Sequence, residues 1–198
     1  MRGCAIEIHL FSRKTKADRF EALAATCEKQ VYFTCLRMLG NQQDAEDCAQ
    51  ESMLRAFRAF DSFRGEASFS TWIIRIAMNC CNDFLRKQKN VVSLDGLQEE
   101  AGYEAVDRTA GPYQQLESKE RMRLLHAALK QMKDEYRQLI ILRDMQGFSY
   151  EELAETLKLS LGTVKSRLNR ARKELSEILQ KHAELFPFHN VQRNGGGK

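Results

Sequence analysis

The chain has 198 residues, 43% hydrophobic and 29% charged, with a formal net charge of +4 at pH 7, enough for one or two domains with real cores. Six cysteines, Cys4, Cys27, Cys35, Cys48, Cys80 and Cys81, have no CxxC spacing, and His9, His126, His182 and His189 are not placed to join them as ligands, so reduced core thiols are expected and neither a metal nor a cofactor. The one apolar run at the N-terminus is short and broken by Glu7 and His9, so neither a signal peptide nor membrane insertion is expected, and a cytoplasmic location is the expectation.

Taken along the chain, nothing reads as a strand. From Asp18 to Gly40 the apolar positions Phe20, Leu23, Ala24, Cys27, Val31, Phe33, Cys35, Leu36 and Leu39 suit a helix, and Gly40 with Asn41 supplies its stop. A second helix begins near Asp44, with Ala45, Cys48, Ala49, Met53, Ala56, Phe57 and Phe60 on one stripe. A third runs from about Ser70 to Lys89 and is apolar nearly all round at first, as expected of the central helix of a bundle. Residues 90–116 hold Gly96, Gly102, Gly111 and Pro112 and lack helical periodicity, so they are expected to form a flexible acidic linker and a domain boundary. Helical pattern resumes near Leu116, with Met122, Leu125, Leu129 and Met132 on one face, and then from Tyr136 to Met145. The tail, 182–198, ends in NGGGK and is expected to be disordered. The fold class is therefore all-α: two small helical domains, 17–89 and 117–181, joined by the linker.

Charge follows the same division. Residues 1–90 carry 14 basic and 11 acidic side chains, 91–117 carry 1 and 6, and 118–198 carry 16 and 10. Two basic segments flanking an acidic one fit two nucleic-acid-facing domains joined by a linker that does not seek phosphate.

The most specific pattern lies between Phe148 and Lys173. Ser149 and Glu152 form a capping box, and Ser160 is placed to cap a second helix beginning near Gly162. On that helix Val164, Leu168, Ala171, Leu175 and Ile178 share one face, which must be buried. Thr163, Lys165, Ser166, Asn169, Arg170 and Lys173 lie on the other, and from Lys158 to Lys173 there are six basic residues and no acidic one. A solvated surface helix would also be charged, but a capped partner helix, a tight turn and one-sided charge together are what a helix-turn-helix needs to enter the major groove.

Two further constellations stand in the first domain. Arg75, Asn79, Asn82 and Arg86 recur at steps of four, three and four, beside Phe60, Phe63, Phe69 and Trp72. Rings stack on base faces and amides read base edges, so these are materials for holding an unstacked base, although phenylalanines at helix junctions are more often core. On the second helix Asp47, Gln50, Glu51, Leu54 and Arg58 share the face opposite the apolar stripe. A Leu among polar residues can anchor a protein interface.

With these blocks in hand, DAEDCAQESMLRAFRAFDSFRG and STWIIRIAMNCCNDFLR in the first domain and YRQLIILRDMQGFSYEELAETLKLSLGTVKSRLNRARKEL in the second, the chain resembles an extracytoplasmic-function sigma factor of the sigma-70 family over roughly Phe20 to Leu179. The resemblance implies a promoter-recognition subunit of bacterial RNA polymerase. It implies that Asp47, Gln50, Glu51, Leu54 and Arg58 dock on the clamp helices of the largest polymerase subunit, with a second subunit holding the C-terminal domain. It implies that Phe63, Phe69, Trp72, Arg75, Asn79, Asn82, Arg86 and Lys87 melt and read the −10 element, the position of Asn79 lining a pocket for a flipped base. It assigns −35 reading to Thr163, Lys165, Ser166, Asn169, Arg170 and Lys173, with Arg143 contacting DNA from the preceding helix. It also implies a linker that threads toward the RNA exit path, and an anti-sigma factor as a further partner. Lys165 stands where Arg is also frequent, and Lys lacks the bidentate guanine contact, so the −35 preference is left open.

Two other readings compete with this. A response-regulator-like helix-turn-helix regulator would need an α/β receiver domain, and the N-terminal half offers no alternating buried strands. A nucleic-acid enzyme would need clustered carboxylates with ligands, and Asp44, Glu46 and Asp47 have only Cys48 nearby, facing the core.

Overall fold

The computed structural model describes residues 15–91 and 112–181, with side chains over 15–89 and 120–181. The greater part of the expected linker and all of the expected tail lie outside the described residues. Among those described there is no strand.

Three helices make the first layer: α1 (Lys16–Leu39), α2 (Gln42–Ala59) and α3 (Phe69–Val91). Each boundary has a local cause. Thr15 and Asp18 close a capping box on α1, and Gly40 ends it at φ 73° with its N–H on the Leu36 carbonyl, a left-handed turn that glycine adopts without a Cβ penalty. Asn41 belongs to the next helix rather than to the stop alone: its side chain accepts from the Asp44 N–H and starts α2 two residues before Asp44. Ser68 accepts from the Thr71 N–H at the start of α3.

The second layer holds α4 (Pro112–Gln131), α5 (Asp134–Ile140), α6 (Tyr150–Leu157) and α7 (Leu161–Gln180). Two expected boundaries move. Helix α4 begins at Pro112, inside the segment expected to be irregular, because proline is tolerated in a first helical turn and its fixed φ suits it. Helix α3 runs on to Val91. After α5 the chain widens into one π-helical turn, Ile141–Met145, where the Gln146 N–H reaches back to the Ile141 carbonyl and the Phe148 N–H to that of Leu142. Gly147, at φ 76°, then turns the chain into the helix-turn-helix.

The two layers share one apolar core. Val31, Cys35, Met38, Ile73, Ile74, Met78 and Cys81 from the first and Leu129, Leu139, Ile140, Leu142, Leu153, Val164 and Leu168 from the second are all buried in it. Phe57 departs from its expected place on the buried stripe. Near the end of α2 it is 37% exposed, with the edge of Phe20 at 5.3 Å between ring centroids and the Lys16 ammonium over its ring at 5.2 Å.

Polar groups line the seam between the layers. Ser70 donates to Gln30 Oε1, Gln30 Nε2 donates to Gln146 Oε1, and Gln146 Nε2 donates to Thr34 Oγ1, which itself donates to the Gln30 carbonyl. At its centre Arg137, 6% exposed, donates to the carbonyls of Leu129, Lys130, Met132 and, across the seam, Met38. Burial pulls its pKa below the usual guanidinium value and Asp134, at 3.3 Å, opposes that.

Candidate nucleic-acid interface

The helix-turn-helix is built as its caps prescribe. The Ser149 hydroxyl accepts from the Glu152 N–H while the Glu152 carboxylate accepts from the Ser149 N–H, closing the box that starts α6. Lys158 takes the left-handed conformation at φ 54° and ends the helix, and the Ser160 hydroxyl accepts from the Thr163 N–H to start α7. Val164, Leu168 and Ala171 are buried, and Leu175 and Ile178 pack against the core, as their spacing predicts.

The basic residues of this region divide into two sets. Arg167 and Arg172 pair inward, with Glu135 at 3.0 Å and Asp144 at 2.5 Å, and tie α7 to α5 and the π turn. Lys165, Ser166, Asn169, Arg170 and Lys173 are exposed along the outer face. Asn169 and Arg170 make no side-chain hydrogen bond or ion pair among the described residues, and Lys173 reaches Glu177 only at 3.7 Å. Thr163 is half-buried, its hydroxyl engaged with that of Ser160, so it belongs to the cap more than to the open face. Arg143 is also half-buried; it donates to the Phe148 carbonyl and lies over the Tyr150 ring at 4.7 Å, where Lys165 approaches the same ring at 5.8 Å. Its first task is to hold the turn that aims α7.

The first-layer residues expected to meet the −10 element fare differently. Phe63, Phe69 and Trp72 form a continuous aromatic cluster with Phe60 and Phe20: Phe69 stands 5.5 Å from Trp72 and 5.6 Å from Phe63, and Phe63 stacks on Phe60 at 6.4 Å. Phe69 is buried and is core; Phe63 and Trp72 are half-buried and form its outer edge. Asn79, Arg86 and Lys87 are exposed, Arg86 pairing with Asp83 at 3.2 Å. Arg75 and Asn82 are occupied by the second layer: Arg75 pairs with Glu155 at 2.9 Å, and the Asn82 amide donates to Gln138 Oε1 at 3.2 Å. The structure thus brings all four amide and guanidinium residues to one helix and leaves two of them under α5 and α6.

The face of α2 is open. Asp47, Gln50 and Arg58 are exposed, Leu54 is 51% exposed, and Glu51 is half-buried, bonded to Arg55 at 2.7 Å, which also holds Asp83 at 3.0 Å.

Residues 23–91 match the family model of sigma-70 region 2, and residues 122–175 match that of sigma-70 region 4. The extracytoplasmic-function RNA polymerase sigma factor SigW of Bacillus subtilis (strain 168) is 34% identical over 175 residues, covering 85% of this chain and 92% of its own length. The chain is an extracytoplasmic-function sigma factor of the sigma-70 family. RNA polymerase sigma-H factor of Pseudomonas aeruginosa is 30% identical over 181 residues, covering 86% of this chain and 92% of its own. Among solved structures, the sigma factor RpoE bound to the anti-sigma factor NepR from Bartonella quintana is similar at a TM-score of 0.66 and 26% identity, covering 82% of this chain and 97% of that one. A sigma factor serves promoter-directed transcription initiation by RNA polymerase, as a specificity subunit and not an enzyme. The response-regulator alternative falls, because region 2 occupies the place where a receiver domain would stand. No helix among the described residues is long and apolar enough to cross a membrane.

Sequence reasoning did not single out Arg137, the Gln30–Gln146 chain or Glu155. It also treated the cysteines one by one, whereas Cys35, Cys48 and Cys81 meet in the core.

Proposed function

We propose that this sigma factor works as two units, 17–89 and 117–181, which core polymerase must separate before both promoter elements are read. The observation that carries this is the state of the two proposed DNA surfaces: Lys165, Ser166, Asn169 and Arg170 are exposed and none is held by the first layer, while Arg75 and Asn82 are held by Glu155 and Gln138. In this reading Asp47, Gln50, Glu51, Leu54 and Arg58 dock on the clamp helices of the largest subunit, with Leu54 as the apolar anchor among charges. Region 4 moves to a second subunit and presents Lys165, Ser166, Asn169, Arg170 and Lys173 to the −35 element, with Arg143 behind them and Thr163 fixing the helix start. Phe63, Trp72, Arg75, Asn79, Asn82, Arg86 and Lys87 then meet opened −10 DNA. Phe69 supports the rings from within. Asn79 reads the flipped base, an amide that contributes only after the duplex opens. An anti-sigma factor binds the chain to keep it from polymerase, as NepR binds its sigma factor in the related complex.

Each surface alone is small, and tethering raises affinity only when geometry lets both sites engage together. The free chain therefore binds promoter weakly and core makes it specific. The test is fluorescence anisotropy with a labelled promoter, with and without core, for the native chain and Leu54→Glu. Weak binding by the free chain, tight specific binding with core, and failure of Leu54→Glu to assemble are expected. Tight specific binding by the free chain, or normal assembly of the variant, overturns the reading.

A further inference from the structure

One cysteine from each helix of the first layer, Cys35 on α1, Cys48 on α2 and Cys81 on α3, places its sulfur within 4.8 Å of the other two, all three side chains buried. Cys48 Sγ and Cys81 Sγ are 3.6 Å apart. Metal–sulfur bonds of about 2.3 Å put sulfurs that share one centre roughly 3.5–4 Å apart, so one pair already has the required spacing and the third sulfur needs a shift of about an ångström. We propose that Cys35, Cys48 and Cys81 form a three-sulfur site for a trivalent thiophilic centre of the arsenite class.

Softness, ligand number and charge select that class. The donor set is soft sulfur, which excludes the hard divalent cations. It has three members: among the described residues no histidine or carboxylate joins the cluster, whereas a structural zinc site closes with four protein ligands. Charge decides among the remainder. Three thiolates around a monovalent ion bury two net negative charges and around a divalent ion one, in a core where an unpaired charge is strongly disfavoured. The cation whose field reaches Cys48 is Arg55, and it is already committed to Glu51 and Asp83. A trivalent centre bound by three thiolates is neutral.

The exchange balances without any further reactant. Arsenous acid, As(OH)3, enters as a small neutral molecule. Each As–O bond that breaks is replaced by an As–S bond, and each thiol proton leaves with the departing hydroxide, so As(OH)3 and three thiols give As(S-Cys)3 and three waters with no change of oxidation state. The product staples α1, α2 and α3 together at the centre of region 2, behind the α2 face that carries Leu54.

The experiment uses the full chain, reduced and oxygen-free, titrated with sodium arsenite. One equivalent should bind, raise Tm because the folded chain holds the three thiols already assembled and so binds more tightly than the unfolded one, and show three sulfur neighbours by X-ray absorption at the arsenic edge. Replacing Cys81 by Ala should weaken binding about 100-fold, the effective concentration lost with one arm of a multidentate site. Cys4→Ala, Cys27→Ala and Cys80→Ala should bind as the native chain does. The sulfur count is read on the native chain, so it stands even where a variant folds poorly. Two sulfur neighbours or oxygen neighbours, undiminished binding by Cys81→Ala, or equal weakening by Cys80→Ala would overturn the three-cysteine site. Parallel titrations with Cu(I) and Zn(II) test the charge argument: tight three-sulfur binding of either, with arsenite left unbound, overturns the trivalent assignment.

Discussion

The two surfaces proposed to face DNA in this sigma factor are built from the same kinds of side chain and stand in opposite conditions. On α7 the arginines divide by direction, Arg167 and Arg172 turning inward to Glu135 and Asp144 while Arg170 stays free. On α3 they divide by neighbour: Arg86 is at the surface, but Arg75 is only 21% exposed and answers to Glu155 of region 4. A groove-reading helix needs no rearrangement to meet duplex DNA. A base-capturing surface is useful only once DNA is open, and in the proposed cycle region 4, whose Glu155 and Gln138 hold Arg75 and Asn82, covers part of it until then. The difference suggests that −35 contact and −10 contact are separated by a conformational step as well as by the cost of melting.

The largest effect should come from the seam. Arg137→Met removes a cation that serves four buried carbonyls, and losing such a partner should cost roughly 3–5 kcal/mol of stability in urea unfolding. A loss well under that would mean the carbonyls find water and the seam is less tightly built than its contacts indicate. Acid probes the same seam through His126 on α4, whose pKa burial, aided by Arg37 of α1, lowers from the usual 6.5 to about 4. The unfolded chain takes up this proton first as pH falls, so the stability present above pH 6.5 should fall between 6.5 and about 4, by about 3 kcal/mol in all. His126→Gln should flatten that part of the pH profile; an unchanged slope would assign the acid sensitivity to other groups. On the open side, Arg170→Ala should weaken −35 binding by holoenzyme by roughly 1–3 kcal/mol and leave the unfolding midpoint unchanged, because the side chain has no internal partner. A mutant that destabilises the chain without touching −35 affinity would invert the comparison. The smallest effect tests the covered side. The Arg75–Glu155 pair is largely exposed on the acid's side, so Glu155→Ala should shift closure by about 0.2–1 kcal/mol and raise binding of the free chain to single-stranded −10 DNA by no more than about fivefold. No gain would mean that Glu155 does not guard Arg75.

Much of the fold was legible because its signals are local. The capping box at Ser149 and Glu152, the stop at Gly40 and the 164–168–171 face each depend on residues within a turn or two, and each stands where its spacing places it. The start of α4 at Pro112 was missed because proline with glycine reads equally as punctuation inside a loop. The seam lay beyond reach for another reason. Gln30 and Gln146 are 116 positions apart, and Arg137 sits in a run, YRQLIIL, where an arginine reads as a solvated interruption of an apolar face. Burial of that residue follows from two helix ends meeting, which no periodicity records. The cysteines carry the same lesson: three positions on three helices show no motif spacing, and only packing makes them neighbours. Of the candidate sites, the exposed faces of α2 and α7 could be read from amphipathicity, while the covering of Arg75 and Asn82 could not.

Arg137 also sets how easily the molecule can come apart. Three of its four carbonyl partners, Leu129, Lys130 and Met132, belong to its own unit, and only Met38 lies across the seam. Separating the units therefore breaks one of the four bonds and returns that acceptor, in the last turn of α1, to water. The guanidinium remains neutralised and oriented in either state. A cation anchored on one side and merely touching the other is a latch rather than a weld: strong enough to fix where the units meet, and cheap enough to open for a competing partner without exposing an unsatisfied charge.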